Sequence, residues 1–118
     1  MIRVLAVDDH PIVRDGIAKL VGTQSDMELV AEASDGREAI EQFRRHHPDV
    51  TLMDLQMPNM SGIDAINAIR SEFPEARIVV LTTYAGDVQV KRDASMVYGA
   101  MDMGWAKLVG QIAQAYEK

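Results

Sequence analysis

A chain of 118 residues, 47% hydrophobic and without cysteine, has the length of one domain and can bury a core with no help from disulfides or a structural metal. A formal charge of -6 argues against direct nucleic-acid binding, which needs a clustered basic face, and the short Arg44-Arg45-His46-His47 run reads as a solvated helix end. No stretch reaches the roughly 18 apolar residues of a membrane span, and the N-terminus has no signal-peptide pattern, so a cytoplasmic domain with no membrane partner is expected.

Residues 2–7 predict a first strand ending at Asp8-Asp9. Pro11 suits the first turn of a helix, and Val13, Ile17, Leu20 and Val21 repeat at the spacing of one buried helical face that Gly22 closes. Met27 to Ala33 reads as a second strand. The turn Ser34-Asp35-Gly36 then opens a helix with Ala39, Ile40 and Phe43 inward. Val50-Thr51-Leu52-Met53 has the short apolar look of a buried parallel strand and delivers Asp54 at its carboxyl end, where Pro58 and Gly62 force a turn. Ile63, Ile66, Ile69 and Phe73 mark a third helix stopped by Pro74, and Arg77 to Leu81 a fourth strand leading to Thr82-Thr83. Alternating strands and helices predict a three-layer α/β/α fold on a parallel sheet of at least four strands with right-handed crossovers.

Beyond Asp87 the pattern changes. Met101-Asp102-Met103-Gly104-Trp105-Ala106 is poor material for a fifth strand. Val90, Ala94, Val97, Met101, Trp105, Leu108, Ile112 and Tyr116 fit a helical period instead, broken or not by Gly99, Gly104 and Gly110. Two readings stay open: an all-helical C-terminal third, or helix-strand-helix.

Three strand ends thus bring Asp8, Asp9, Asp54 and Thr82 toward one acidic pocket, at the sheet edge where open α/β folds bind ligands. A lone aspartate at a strand end is commonly a helix cap, and His10, which follows the acid pair and could touch a metal there, is more simply a loop or cap residue. Several carboxylates that close together, however, call for a proton or a cation, and oxygen ligands of this kind suit Mg2+. With the cation bound, Asp54 could attack phosphorus as a nucleophile, and Thr82 could reach the acyl phosphate. Met57, Pro58 and Met60 read as loop packing.

Val4-Leu5-Ala6-Val7-Asp8-Asp9-His10-Pro11, Asp54-Leu55-Gln56-Met57-Pro58-Asn59-Met60-Ser61-Gly62 and Val79-Val80-Leu81-Thr82-Thr83-Tyr84 together resemble the receiver domain of bacterial two-component response regulators, closest to the subfamily whose receivers precede a LuxR-type helix-turn-helix. The resemblance covers about residues 1–90. It implies a flavodoxin-like fold, Mg2+ held by Asp9, Asp54 and the backbone carbonyl of Gln56 with Asp8 assisting, and phosphorylation of Asp54 by a partner histidine kinase. Thr82 would be the switch hydroxyl, and transcription the output of the intact protein.

The chain departs from the family after Lys91. The family's lysine at the end of its fifth strand falls about where Gly104 stands, and Lys107 is the nearest candidate to pair with phosphoryl oxygens. A single domain over 1–118 is expected, with a family-like core at 1–90 and an atypical, replaced or chimeric segment at 91–118. An alternative function follows: a receiver scaffold without a working switch, acting as a binding module or homodimer through the stripe Val97, Met101, Trp105, Leu108 and Ile112. A turnover enzyme on an external substrate is not expected. Phosphohydrolases with an aspartate nucleophile resemble one another in a second Asp two residues on, and Gln56 stands there.

Overall fold

Apolar content along each strand decides where it lies in the sheet. The computed structural model describes residues 1–55, 57–82, 96–100 and 105–117. In it β1 (Ile2–Val7) is buried at every position but Arg3, and β3 (Val50–Asp54) is buried up to Met53, as befits strands covered on both faces. β2 (Met27–Ala33) exposes Glu28 and Glu32 and takes an edge. With β4 (Ile78–Thr82) and β5 (Met96–Ala100) the order is β2-β1-β3-β4-β5, and every neighbouring pair is parallel. Strand order reverses between β1 and β3, which marks that crevice as the ligand-binding position of a doubly wound sheet.

The two-residue period of the strands sends alternate side chains to opposite faces. Leu5, Val7, Met53, Ile78 and Val80 meet α2 (Gly36–His46) and α3 (Gly62–Glu72) through Ala39, Phe43, Ala65, Ile66 and Ile69. Val4, Ala6, Val50, Leu52, Val79 and Leu81 meet α1 (Pro11–Gly22) and α4 (Trp105–Glu117) through Ile17, Val21, Leu108, Ile112 and Ala115. The result is the flavodoxin-like three-layer arrangement, and no helix among the described residues is long and apolar enough to cross a membrane.

Helix starts follow local chemistry. Pro11 sits at the first positions of α1, where an amide donor would have no partner in the helix. Asp35 and Ser61 cap α2 and α3, accepting from the amides of Glu38 and Asp64. At its far end α2 stops at His47, in the left-handed conformation with φ 46°, and the Arg3 guanidinium donates to the carbonyls of His46 and His47.

Of the two readings left open for the C-terminal third, the all-helical one is overturned. A fifth strand is present at Met96–Ala100, in register with β4 so that Leu81 faces Gly99 and Thr82 faces Ala100. The all-helical reading fails there because an edge strand needs backbone pairing on one side only, so a short run with β-forming Val97 and Tyr98 suffices despite Gly99. Among the described residues the helical period is realised from Trp105 onward. Its Leu108 and Ile112 are then buried against the chain's own sheet rather than offered to a second copy. Val90, Ala94 and Met101 lie outside the described residues.

Ile112 is fully buried. Ile112→Ala is therefore expected to lower unfolding free energy by roughly 2–5 kcal/mol in urea titrations. A midpoint unchanged from wild type would mean that α4 does not pack as described.

Candidate functional site

Register builds the site before any side chain is considered. Val7 pairs with Met53, so the next residue on each strand brings Asp8 alongside Asp54, while Asp54 itself pairs with Leu81 of β4. Asp8, Asp9, His10 and Asp54 each present a ligand atom within 4.8 Å of the others. Asp8 is buried, 4% exposed, and Asp9 and Asp54 are half-buried.

Within the cluster, Asp8 Oδ1 accepts from the backbone amide of His10 at 2.8 Å and lies 2.8 Å from His10 Nδ1. His10 Nδ1 is also 3.0 Å from Asp9 Oδ1. That oxygen is shut from solvent yet receives no hydrogen bond, because the ring nitrogen is engaged with Asp8. The hydrogen bond to Asp8, then the charges of Asp9 and Asp8, hold the His10 imidazole above its ordinary pKa. An unbonded, buried carboxylate oxygen beside two further carboxylates fits a hard divalent cation well.

The loop after Asp54 is clamped from two sides. Gly62 donates its amide to Leu55 O at 3.1 Å, and a Cβ at Gly62 would lie 2.1 Å from Asp54 O and 2.7 Å from Leu55 Cα. Any side chain there would push the backbone that carries Asp54. Gly36, at the start of α2, donates to Met60 O at 3.2 Å, and a Cβ there would meet Met60 atoms at 2.8 Å. Asn59 takes up φ 67° and donates to Asp35 Oδ2 at 3.4 Å. Met57 and Met60 pack on the core below.

Of the sequence-predicted residues, the structure brings Asp8, Asp9 and Asp54 together. Gln56 lies outside the described residues. Thr82 ends β4 in the row next to Asp54, and its hydroxyl lies outside the described atoms. Lys107 is exposed on the first turn of α4, and β5 itself contains no lysine. His10 is the residue that sequence reasoning underrated: it occupies the N-cap position of α1, but its side chain makes no capping bond and turns into the carboxylates. A separate cleft of about 420 Å³, lined by Phe43, His47, Phe73, Pro74 and Arg77 among others, lies at the amino ends of β3 and β4, at the other edge of the sheet.

A doubly wound α/β domain with an acidic cluster at its topological switch is the class these features define. The response regulator receiver domain profile matches residues 4–103, well past residue 90, and the chain belongs to that family. It is 41% identical over 103 residues to the response regulator protein VraR of Staphylococcus saprophyticus, covering 87% of this chain and 46% of that protein. VraR of Staphylococcus aureus matches with the same identity and coverage, so the chain spans about half the length of the curated relatives it matches. Its structure is similar to the response regulator domain of Thermotoga maritima CheB, with a TM-score of 0.88, 28% identity, and coverage of 100% of this chain and 98% of that one. A LuxR-family two-component response regulator from an Aurantimonas species gives 0.87 at 33% identity, covering 99% and 86%. Receiver domains bind Mg2+ at an acidic pocket and take phosphoryl groups from histidine kinases; they are not classic substrate-turnover enzymes, though some have autophosphatase activity.

Gly62→Ala is expected to destabilise the domain by roughly 2–3 kcal/mol, read from the shift in urea midpoint. A shift no larger than that of Gly22→Ala, which meets nothing within 4 Å, would show that the close approach to Asp54 carries no weight. Asp35 is held below the ordinary carboxylate value of 3.8, chiefly by the Glu38 amide. A depressed folded pKa stabilises above the unfolded value and is lost as pH falls through the folded one. Asp35→Ala should therefore cost about 1 kcal/mol at neutral pH and progressively less in acid, in unfolding measured across the range; a cost independent of pH would refute the capping role.

Proposed function

We propose that this chain is a phosphoacceptor switch module: Asp54 takes a phosphoryl group from a histidine kinase, with a Mg2+ held by Asp8, Asp9, Asp54 and the backbone carbonyl of Gln56. The observation that carries the reading is the meeting of the Asp8, Asp9 and Asp54 carboxylates within 4.8 Å at the β1/β3 crevice of a receiver-family domain. Bound there, the cation neutralises charge on the incoming phosphoryl oxygens and the carboxylates together. An Asp54 carboxylate oxygen forms the new bond to phosphorus, and the bond from phosphorus to the kinase histidine nitrogen breaks with its electron pair going to that nitrogen. Loss of the group is a second substitution, in which a water oxygen bonds to phosphorus, the bond from phosphorus to the Asp54 oxygen breaks with its electron pair returning to the carboxylate, and inorganic phosphate leaves. Thr82, one residue beyond the β4 partner of Asp54, would offer its hydroxyl to the phosphoryl oxygens.

The output in the longer protein is proposed to be control of transcription, as the likeness to LuxR-family regulators suggests, in the cytoplasm and with no nucleic-acid contact by this chain itself. Lys107, exposed on α4, is the weakest of the proposed site residues, and the absence of lysine from β5 favours a second reading: a receiver scaffold lacking the usual coupling, used as a binding or self-association module. The replaced or chimeric origin proposed for residues 91–118 belongs to that second reading.

Intact-protein mass spectrometry separates the two. With Mg2+ and a small phosphoramidate or acyl-phosphate donor, the wild type should gain the mass of one phosphoryl group, Asp54→Asn should gain none, and Asp9→Asn should be slowed on the order of tenfold or more. No gain by the wild type would refute the switch. A molecular mass by light scattering that rises with concentration would then favour the self-association module.

A further inference from the structure

The N-cap position of a helix usually employs its side chain as an acceptor for first-turn amides. His10 stands at that position of α1 and does not do so. Its backbone is fixed instead by the bond from its amide to Asp8 Oδ1, at 2.8 Å. Its ring, 66% exposed, is turned into the carboxylate cluster, with Nδ1 2.8 Å from Asp8 Oδ1 and 3.0 Å from Asp9 Oδ1. Asp54 lies within the same 4.8 Å span. A ring anchored at the backbone and open to solvent on its outer side can reorient toward an ion without disturbing the core. A neutral imidazole nitrogen is a favoured ligand for first-row transition metals and a poor one for Mg2+, which prefers hard oxygen donors.

We propose that His10 is a further protein ligand of this site, donating its imidazole nitrogen beside the Asp8, Asp9 and Asp54 carboxylates, so that the site gains affinity for nitrogen-accepting divalent cations that it does not gain for Mg2+. The inference rests on reading the carboxylate cluster as a cation site. It makes the selectivity of the site a property of one side chain: the carboxylates serve any hard divalent ion, and only ions that gain from nitrogen register His10. Removing the ring should therefore alter affinity in a metal-dependent way, whereas a merely structural residue would affect all ions alike.

Calorimetric titration of the full chain with Mg2+ and, separately, with Co2+ tests this, in mildly alkaline buffer so that the ring is neutral. His10→Ala is expected to weaken Co2+ binding by roughly tenfold while changing Mg2+ binding by less than about twofold. The visible absorption of bound Co2+ supplies a second readout, because nitrogen coordination shifts its bands to shorter wavelength than oxygen ligands alone. That shift should be present in wild type and absent in both His10→Ala and Asp54→Asn, the latter distinguishing this site from surface imidazoles such as His46 and His47. Thermal unfolding of the variants in metal-free buffer confirms that they are folded. Equal weakening of both metals, or an unchanged Co2+ spectrum in His10→Ala, would overturn the proposal while leaving the carboxylate site standing. No heat with either ion in the wild type would overturn both.

Discussion

Everything at the functional end of this domain follows from holding like charges together. At the 4.8 Å span of the cluster, two unit charges repel by about 3 kcal/mol at an effective dielectric of 20. That exceeds what any single helix cap or exposed ion pair in the chain contributes, so the local interactions around the pocket could not hold Asp8, Asp9 and Asp54 in place alone. What holds them is the parallel register of β1 with β3, fixed by strands whose side chains are buried on both faces of the sheet. To separate the carboxylates the protein would have to slip a central strand, which would turn Val7 and Met53 out of one core and Ala6 and Leu52 out of the other. The repulsion is thus stored in the scaffold and becomes an affinity for positive charge.

The pocket also depends on precision in the chain that leaves it. Gly62 lets the start of α3 pass against the carbonyl of Asp54, and Gly36 lets the loop carrying Met60 lie on the start of α2. Asn59 bridges to Asp35, the residue that caps α2, so the cap and the loop share one carboxylate. Disturbing either helix start therefore moves the backbone on which Asp54 sits. The cation side of the site is prepared in advance by covalent connectivity and close backbone contact, and long flexible side chains play little part in it. On the opposite surface, the bidentate pair of Arg44 with Glu72 joins the exposed ends of α2 and α3; with both partners in solvent it adds little to stability.

Much of this was legible in the sequence because burial on both faces leaves an unmistakable trace. Val4-Leu5-Ala6-Val7 and Val50-Thr51-Leu52-Met53 are apolar without alternation, and each ends in aspartate, so both the strands and the address of the acids could be read together. The fifth strand was not legible for the opposite reason. An edge strand of five residues, two of them Gly99 and Ala100, carries no such trace, and the true helical period of α4 could be extended backward over it by chance. The carboxylates were readable from strand ends, but the orientation of His10 was not: a histidine before a proline-initiated helix looks like a cap, and only coordinates show that its side chain makes no capping bond and turns into the carboxylates. Gly62 likewise read as a chain breaker, when its role is to allow two backbones to touch.

The same geometry explains why, in the proposed reading, the site accepts a group rather than turning over substrate. Turnover on an aspartyl phosphate needs a second acid–base group poised to deprotonate water or protonate a leaving group. The position two residues beyond Asp54 holds an amide, Gln56, and Asp8 is committed to the amide and ring of His10. Asp9 faces the same cluster with an oxygen shut from solvent, which suits a cation better than a water to be activated. In that reading each carboxylate is used to bind charge or to receive phosphorus.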